Sequence, residues 1–232
     1  MLAMHMRVRR AFTLVELLIV IGLIAMLIGM LLPAIAGAQR AARSASCLSK
    51  MRQIGTATLM YAQENRGQLP RSTHSALACK VMPWGYALSR HLSHTAYTGP
   101  GPAWEALFNN VYRCPSDERD GKWSYGKNVW FELLPAESGE VFGVREGPVF
   151  PKITDVPKSS ATVLYGELGS GSMADHIMAH FWHMGGSPEV DARRHGKTSN
   201  YVFVDGHAES RSFESTFDRN SGIDLWNPAK AQ

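Results

Sequence analysis

Arg7-Val8-Arg9-Arg10-Ala11-Phe12-Thr13-Leu14-Val15-Glu16 runs directly into Leu17 to Ala38, 22 residues without a charge. At about 1.5 Å of rise per residue, that uncharged run spans about 33 Å as a helix, enough to cross the hydrocarbon core of a bilayer. A globular core helix rarely needs such a length. Glu16 is the anomaly, because it places an ionisable group about one turn into an otherwise lipid-soluble segment. A carboxylate there is costly unless something pairs it.

The order of basic cluster, Ala11-Phe12-Thr13-Leu14-Val15-Glu16 and apolar helix resembles the leader of type IV pilins and type II secretion pseudopilins. In that family a prepilin peptidase cuts just before the Phe and N-methylates it. The resemblance therefore implies processing between Ala11 and Phe12, with Glu16 as the fifth residue of the mature chain. It also implies that Glu16 pairs with the N-terminal amine of a neighbouring subunit during assembly. This sequence has Ala11 where Gly usually precedes the cut, so a small residue is kept at that position.

Two other readings compete. A secretory signal peptide would use Arg7, Arg9 and Arg10 as its basic region and cleave near Ala34-Ile35-Ala36, releasing a secreted protein; the apolar run exceeds the usual length for that, and Glu16 interrupts it. An ordinary signal anchor would make Glu16 an accident. The mature N-terminus separates the three: methyl-Phe12 for the pilin reading, Gly37 or Gln39 for the signal peptide, Met1 for the anchor.

The net charge of +4 and pI near 9.0 superficially suggest a nucleic-acid or anionic-lipid partner. The charge, however, flanks the apolar run: Arg7, Arg9 and Arg10 before it, Arg40, Arg43, Lys50 and Arg52 after it, with no acid between Glu16 and Glu64. It belongs to the stalk, and no nucleic-acid partner is expected. Both flanks are basic, so Lys and Arg counts alone do not orient the segment. The resemblance implies a cytoplasmic N-terminus, a single pass through the bacterial cytoplasmic membrane, and a head outside it.

Beyond the membrane the helical pattern continues. Cys47, Met51, Ile54, Thr58 and Tyr61 recur at steps of four and three, with Leu48 beside them. Asn65-Arg66-Gly67 then supplies a stop, with Pro70 following. A helix from about Phe12 to Asn65 would be roughly 80 Å long. Pro33 is expected to kink or locally melt it near Gly37. The predicted organisation is a leader over 1–11, a transmembrane and assembly helix over 12–38, its amphipathic continuation over 39–66, and a globular head over 67–232. About 165 residues are enough for one core.

The head reads as short strands and loops, punctuated by Gly and Pro. Ala103 to Asn110 suggests a short helix with Trp104, Leu107 and Phe108 on one face. Ala161 to Tyr165 suggests a strand. Asn200 to Val204 and His207 to Phe213 form two strand-like arms around Asp205-Gly206, a dipeptide suited to a type I′ turn. The expected fold is α+β: a long N-terminal helix packed on a small antiparallel sheet.

His195, nine intervening residues and Asp205-Gly206 resemble the H-x9-DG signature of bacterial surface proteins that also begin with a pilin-type leader. Cys47-Leu48-Ser49-Lys50-Met51-Arg52-Gln53-Ile54-Gly55, Cys114-Pro115-Ser116-Asp117 and Arg194-His195-Gly196 are similar to that group as well. Read from its residues, Asp205-Gly206 is a turn that fixes strand register.

Three cysteines in a chain expected outside the cytoplasm invite a disulfide and leave one thiol over. Cys47 on the helix stripe and Cys114 in the head are the favoured pair, with Cys79 free and buried; three buried thiols are the alternative. His176, His180 and His183 would share one face of a helix and offer imidazoles to zinc or copper. The interspersed Met178, Phe181, Trp182 and Met184 equally suit a partly buried structural segment. Asp117, Glu118 and Asp120 beside Ser116 offer oxygens to calcium or form a solvated turn. No resident cofactor is expected.

Enzyme signatures are missing: there is no G-x-S-x-G elbow, phosphate-binding Gly loop or Cys-x-x-Cys pair. His91, His94, Ser116 and Asp117 are neighbours in sequence only. The resemblance implies a structural subunit of a pilus or secretion pseudopilus, partnered by prepilin peptidase, membrane lipid and other subunits through its N-terminal helix. The head is larger than many major-pilin heads, which favours a minor or specialised subunit. The alternative is a membrane-anchored binding protein that never polymerises.

Overall fold

The computed structural model describes residues 13–232, and the chain divides into two compact units with their boundary between Ala42 and Arg43. Helix α1 spans Leu14–Glu64 and includes Pro33. The expected local melting at Pro33 is not seen: a proline removes its own N–H bond, and the remaining i to i−4 bonds carry the helix through. The expected stop is present. Gly67 N–H donates to the Ala62 carbonyl at 2.8 Å, with Arg66 and Gly67 both at positive φ, which closes the last turn.

In the first unit every large apolar side chain from Leu14 to Ile35 is exposed. In the second, α1 buries Cys47, Met51, Ile54, Gly55, Ala57, Thr58 and Ala62, the face that the four-and-three spacing marks out.

Short helices follow: α2 (Thr73–Ala76), α3 (Trp84–Ala87), α4 (Ser89–Ser93) and α5 (Pro102–Leu107), the last running into a π-helical turn, Phe108–Tyr112. The strands are β1 (Tyr125–Asn128), β2 (Val163–Glu167), β3 (His176–Ile177), β4 (Ser199–Phe203) and β5 (Ala208–Arg211), with α6 (Pro135–Phe142) between β1 and β2. They form one sheet in the order β3-β1-β2-β4-β5. All neighbouring pairs are antiparallel except β1 with β3, so the expected antiparallel sheet carries one parallel edge.

Side-chain alternation divides the sheet between two cores. Along β4, Val202 joins Met51, Ile54 and Ala57 of α1, while Tyr201 and Phe203 join Trp182, Phe217 and Trp226 on the opposite face. That opposite layer, built from the C-terminal segment, covers the face that a simple helix-on-sheet fold leaves open. A register shift between Val163 and Tyr165 puts Leu164 and Tyr165 on the α1 side together. The alternation then places Gly166 under Trp226 and turns Glu167 toward α1. One bulge thus decides where a buried carboxylate points.

The β4–β5 connection departs from the expected type I′ turn. That turn needs positive φ at both central residues, and only Gly206 has it, at 86°. Phe203 N–H donates to His207 O, and Gly206 N–H donates to Phe203 O, both at 2.9 Å. The result is a three-residue loop, Val204-Asp205-Gly206, with glycine in the left-handed position. Asp205 Oδ1 accepts from His207 N–H at 3.1 Å, which secures the loop from outside.

Candidate functional site

At the start of α1, Thr13 and Glu16 satisfy one another. Thr13 Oγ1 accepts the Glu16 N–H at 3.2 Å, while Glu16 Oε2 accepts the Thr13 N–H at 2.9 Å and its hydroxyl at 2.8 Å. This is a reciprocal capping box, legible in the sequence as Thr-x-x-Glu ahead of an apolar run. Glu16 therefore has a partner within its own chain, a role that reading it as an isolated intramembrane charge overlooks. Ala11 and Phe12 lie outside the described residues. Among the described residues, α1 is the helix long and apolar enough to cross a membrane.

In the second unit the structure brings together residues scattered over the sequence. Cys47 of α1 and Cys114, just after the π-helical turn, form a disulfide with Cα atoms 5.2 Å apart, joining positions 67 residues apart. His195 lies against it: its Nε2 is 3.8 Å from Cys114 Sγ and 3.0 Å from Glu167 Oε1. Glu167 Oε2 accepts from Ser199 Oγ and Asn200 N–H, both at 2.9 Å. The side chains of His195 and Glu167 are almost wholly buried. His195 and Gly206 thus serve different contacts. Gly206 approaches α1 at Gly55, where a Cβ would stand 2.8 Å from the Gly206 carbonyl oxygen, and its own missing Cβ makes room for Leu59.

Charges reinforce the same corner. Arg194 reaches Asp191 at 3.1 Å, Asp117 at 3.6 Å and the Ser124 and Leu168 carbonyls. Asp117 also binds Arg119 at 2.7 Å and accepts from Ser124 Oγ at 2.8 Å. Burial alone would raise the Asp117 carboxyl, but Arg119, Arg194 and Ser124 overcome it and hold it down at about 2. The oxygens that the 117–120 loop could offer to calcium are therefore not free as a set, since Asp117 is engaged by guanidinium groups. Lys50 Nζ donates to the Arg113 carbonyl at 2.7 Å, adding a second tie between α1 and this loop.

A second buried charge pair escaped the sequence reading. Lys127 Nζ meets Glu132 Oε1 at 2.8 Å, both side chains fully buried. Burial pushes against both charges. Glu132 nonetheless lies below its ordinary value because Lys127, Ser72 and Ser75 donate to it, and Lys127 is lowered by desolvation that Glu132 only partly offsets. The carboxylate, with its several donors, stays charged, and Lys127 is its counter-ion. Nothing in Gly126-Lys127-Asn128 marks this lysine as buried.

The alternative histidine site is not assembled. His176 belongs to β3, and His180 and His183 to a 3-10 helix, Ala179–Met184, so the α-helical face that would align them does not exist. His176 Nδ1 faces Asp175 at 3.1 Å, and His183 Nε2 faces Asp224 at 2.6 Å. His180 packs on Phe181, and burial pushes it down to about 4. Cys79 is exposed, not buried: it lies in the turn after α2, beside exposed Leu77 and Lys80. His91 pairs with Glu64 at 3.6 Å and takes no part in the Asp117 cluster.

The head surface carries an aromatic cleft of about 420 Å³, lined by Tyr86, Trp104, Phe108 and Trp123 and edged by Glu105 and Asp120. Tyr86 and Trp104 stack with ring centroids 4.6 Å apart.

Residues 6–32 match the family model of the prokaryotic N-terminal methylation motif. The chain therefore carries a prepilin-type N-terminal methylation motif that leads into a long apolar helix. No curated protein and no solved structure matches the chain.

Proposed function

We propose that this chain is a pilin-like structural subunit, processed by a prepilin peptidase between Ala11 and Phe12 and assembled helix to helix into a type IV pilus or a type II secretion pseudopilus. The observation that carries this reading is the overlap of the methylation motif at 6–32 with a helical segment whose large apolar side chains, Leu14 to Ile35, are all exposed. Such a surface needs lipid or other helices around it.

In the precursor the segment crosses the cytoplasmic membrane, N-terminus inside and head outside. In the fibre the same side chains pack on neighbouring subunits. Glu16 exchanges partners between these states: the Thr13 capping contact of the single chain gives way to the amine of a neighbouring subunit's Phe12. The head supplies outward specificity, and the chain performs no catalysis and needs no resident cofactor.

Glu16→Ala tests this against simple capping, with Thr13→Val as the control that weakens the cap and keeps the carboxylate. Glu16→Ala is expected to insert in the membrane and fail to enter fibres, while Thr13→Val still assembles. Normal assembly of Glu16→Ala would defeat the mechanism.

The aromatic cleft favours a second reading, a membrane-anchored binding protein that stays monomeric, because its volume is that of a small-ligand site. Crosslinking between N-terminal helices in intact cells distinguishes the two.

A further inference from the structure

We infer that Cys47, Cys114, Glu167 and His195 form a tetrahedral zinc site whenever the two cysteines are thiols, so that the corner now closed by a disulfide can be closed by a metal instead. The ligand atoms of these four residues lie within 4.8 Å of one another. A tetrahedral centre with bonds of about 2.0–2.3 Å sets its ligand atoms about 3.3–3.8 Å apart. His195 Nε2 stands 3.0 Å from Glu167 Oε1 and 3.8 Å from Cys114 Sγ, close to that spacing, while the two sulfurs, held about 2.0 Å apart by any disulfide, must move apart once the bond is broken.

The disulfide is flanked by a polar pair that could also serve a metal. A disulfide is neutral and needs no polar partner, yet a fully buried carboxylate and a buried imidazole are aimed at this one. The second oxygen of Glu167 is held by Ser199 Oγ and Asn200 N–H, which leaves Oε1 directed at the cluster. Outer contacts of this kind orient metal ligands. Cys47 and Cys114 are buried, and the four ligands come from α1, the loop after the π-helical turn, the end of β2 and the loop before β4. The set leaves no open position, the pattern of a structural zinc site and not of a catalytic one.

The two states exclude each other because a sulfur in the disulfide is not a thiolate ligand. A phosphine converts one into the other with full balance: phosphorus attacks one sulfur, the S–S bond breaks, and water hydrolyses the adduct. The products are the phosphine oxide, carrying the oxygen of water, and two thiols, carrying its two protons. Zn²⁺ then displaces both thiol protons. The resulting charge, with two thiolates, one carboxylate and a neutral imidazole, is −1, beside the cations Lys50 and Arg194.

The test uses the full chain in detergent micelles, oxidised or reduced with a phosphine, then given Zn²⁺ and freed of unbound metal. About one zinc per reduced chain and none per oxidised chain are expected, with zinc raising the melting temperature of the reduced form only. His195→Ala and Glu167→Gln should each weaken zinc binding by more than about tenfold, since even outer contacts of metal ligands are worth that much. His180→Ala should leave it unchanged. Cobalt in the reduced wild-type chain should give a thiolate-to-metal charge-transfer band with tetrahedral visible bands. If reduction unfolds the head, zinc should refold it. A reduced chain that takes up no zinc, stays unfolded with it, binds cobalt without the thiolate band, or binds equally well as His195→Ala would overturn the inference.

Discussion

From Leu14 to Ile35, α1 exposes every large apolar side chain, whereas from Cys47 to Ala62 it hides a continuous stripe under the head. Both stretches are helical, but their glycines show how different their surroundings are. A Cβ added at Gly22, Gly29 or Gly37 would meet nothing within 4 Å, while one at Gly55 would stand 2.8 Å from both the Gly206 carbonyl and Val202. The first stretch, exposed on every side, presents an apolar surface with no partner in the described residues. The second is shaped to meet one fixed surface. A single hydrophobic periodicity cannot describe both, because only the second stretch has a buried side.

The largest effect that sharpens this contrast comes from the disulfide. Cys47→Ser with Cys114→Ser frees a loop of 67 residues. On the chain-entropy account it should cost the head about 4 kcal/mol in denaturant unfolding followed by tryptophan fluorescence. Next comes Gly55→Ala, where the close backbone contact gives little: a loss of about 1–3 kcal/mol is expected in the same assay. Gly29→Ala, its counterpart in the first stretch, should leave head unfolding unchanged. Equal effects of these two substitutions would break the contrast.

The smallest effect is on acid stability. The Asp117 carboxyl is held below its ordinary 3.8, at about 2. Its contribution is complete above 3.8 and lost as pH falls through about 2. Asp117→Asn should therefore flatten the decline of head stability between those values, measured by urea unfolding at stepped pH. It should leave membrane insertion unaltered.

Much of this was readable in the residues. The four-and-three spacing from Cys47 gave the buried face of α1, Asn65-Arg66-Gly67 its end, and the arms around Asp205-Gly206 a hairpin. What escaped depends on contacts that no local pattern carries. The bulge in β2 aims Glu167 at the disulfide, and a bulge is invisible in Val163-Leu164-Tyr165. Lys127 looks like any surface lysine until Glu132, itself held by Ser72 and Ser75, pairs with it. The three histidines share a helical spacing, but pairing of His176 with β1 overrides it. Pro33 does not melt the helix, because one lost hydrogen bond does not end a long helix. The capping box at Thr13 and Glu16 is legible as Thr-x-x-Glu ahead of an apolar run.

Mass spectrometry of the mature N-terminus, taken from protein extracted from its native membrane, tests the central claim most directly. A chain beginning at methylated Phe12 is the expected result. A chain beginning at Met1, Gly37 or Gln39 would contradict it.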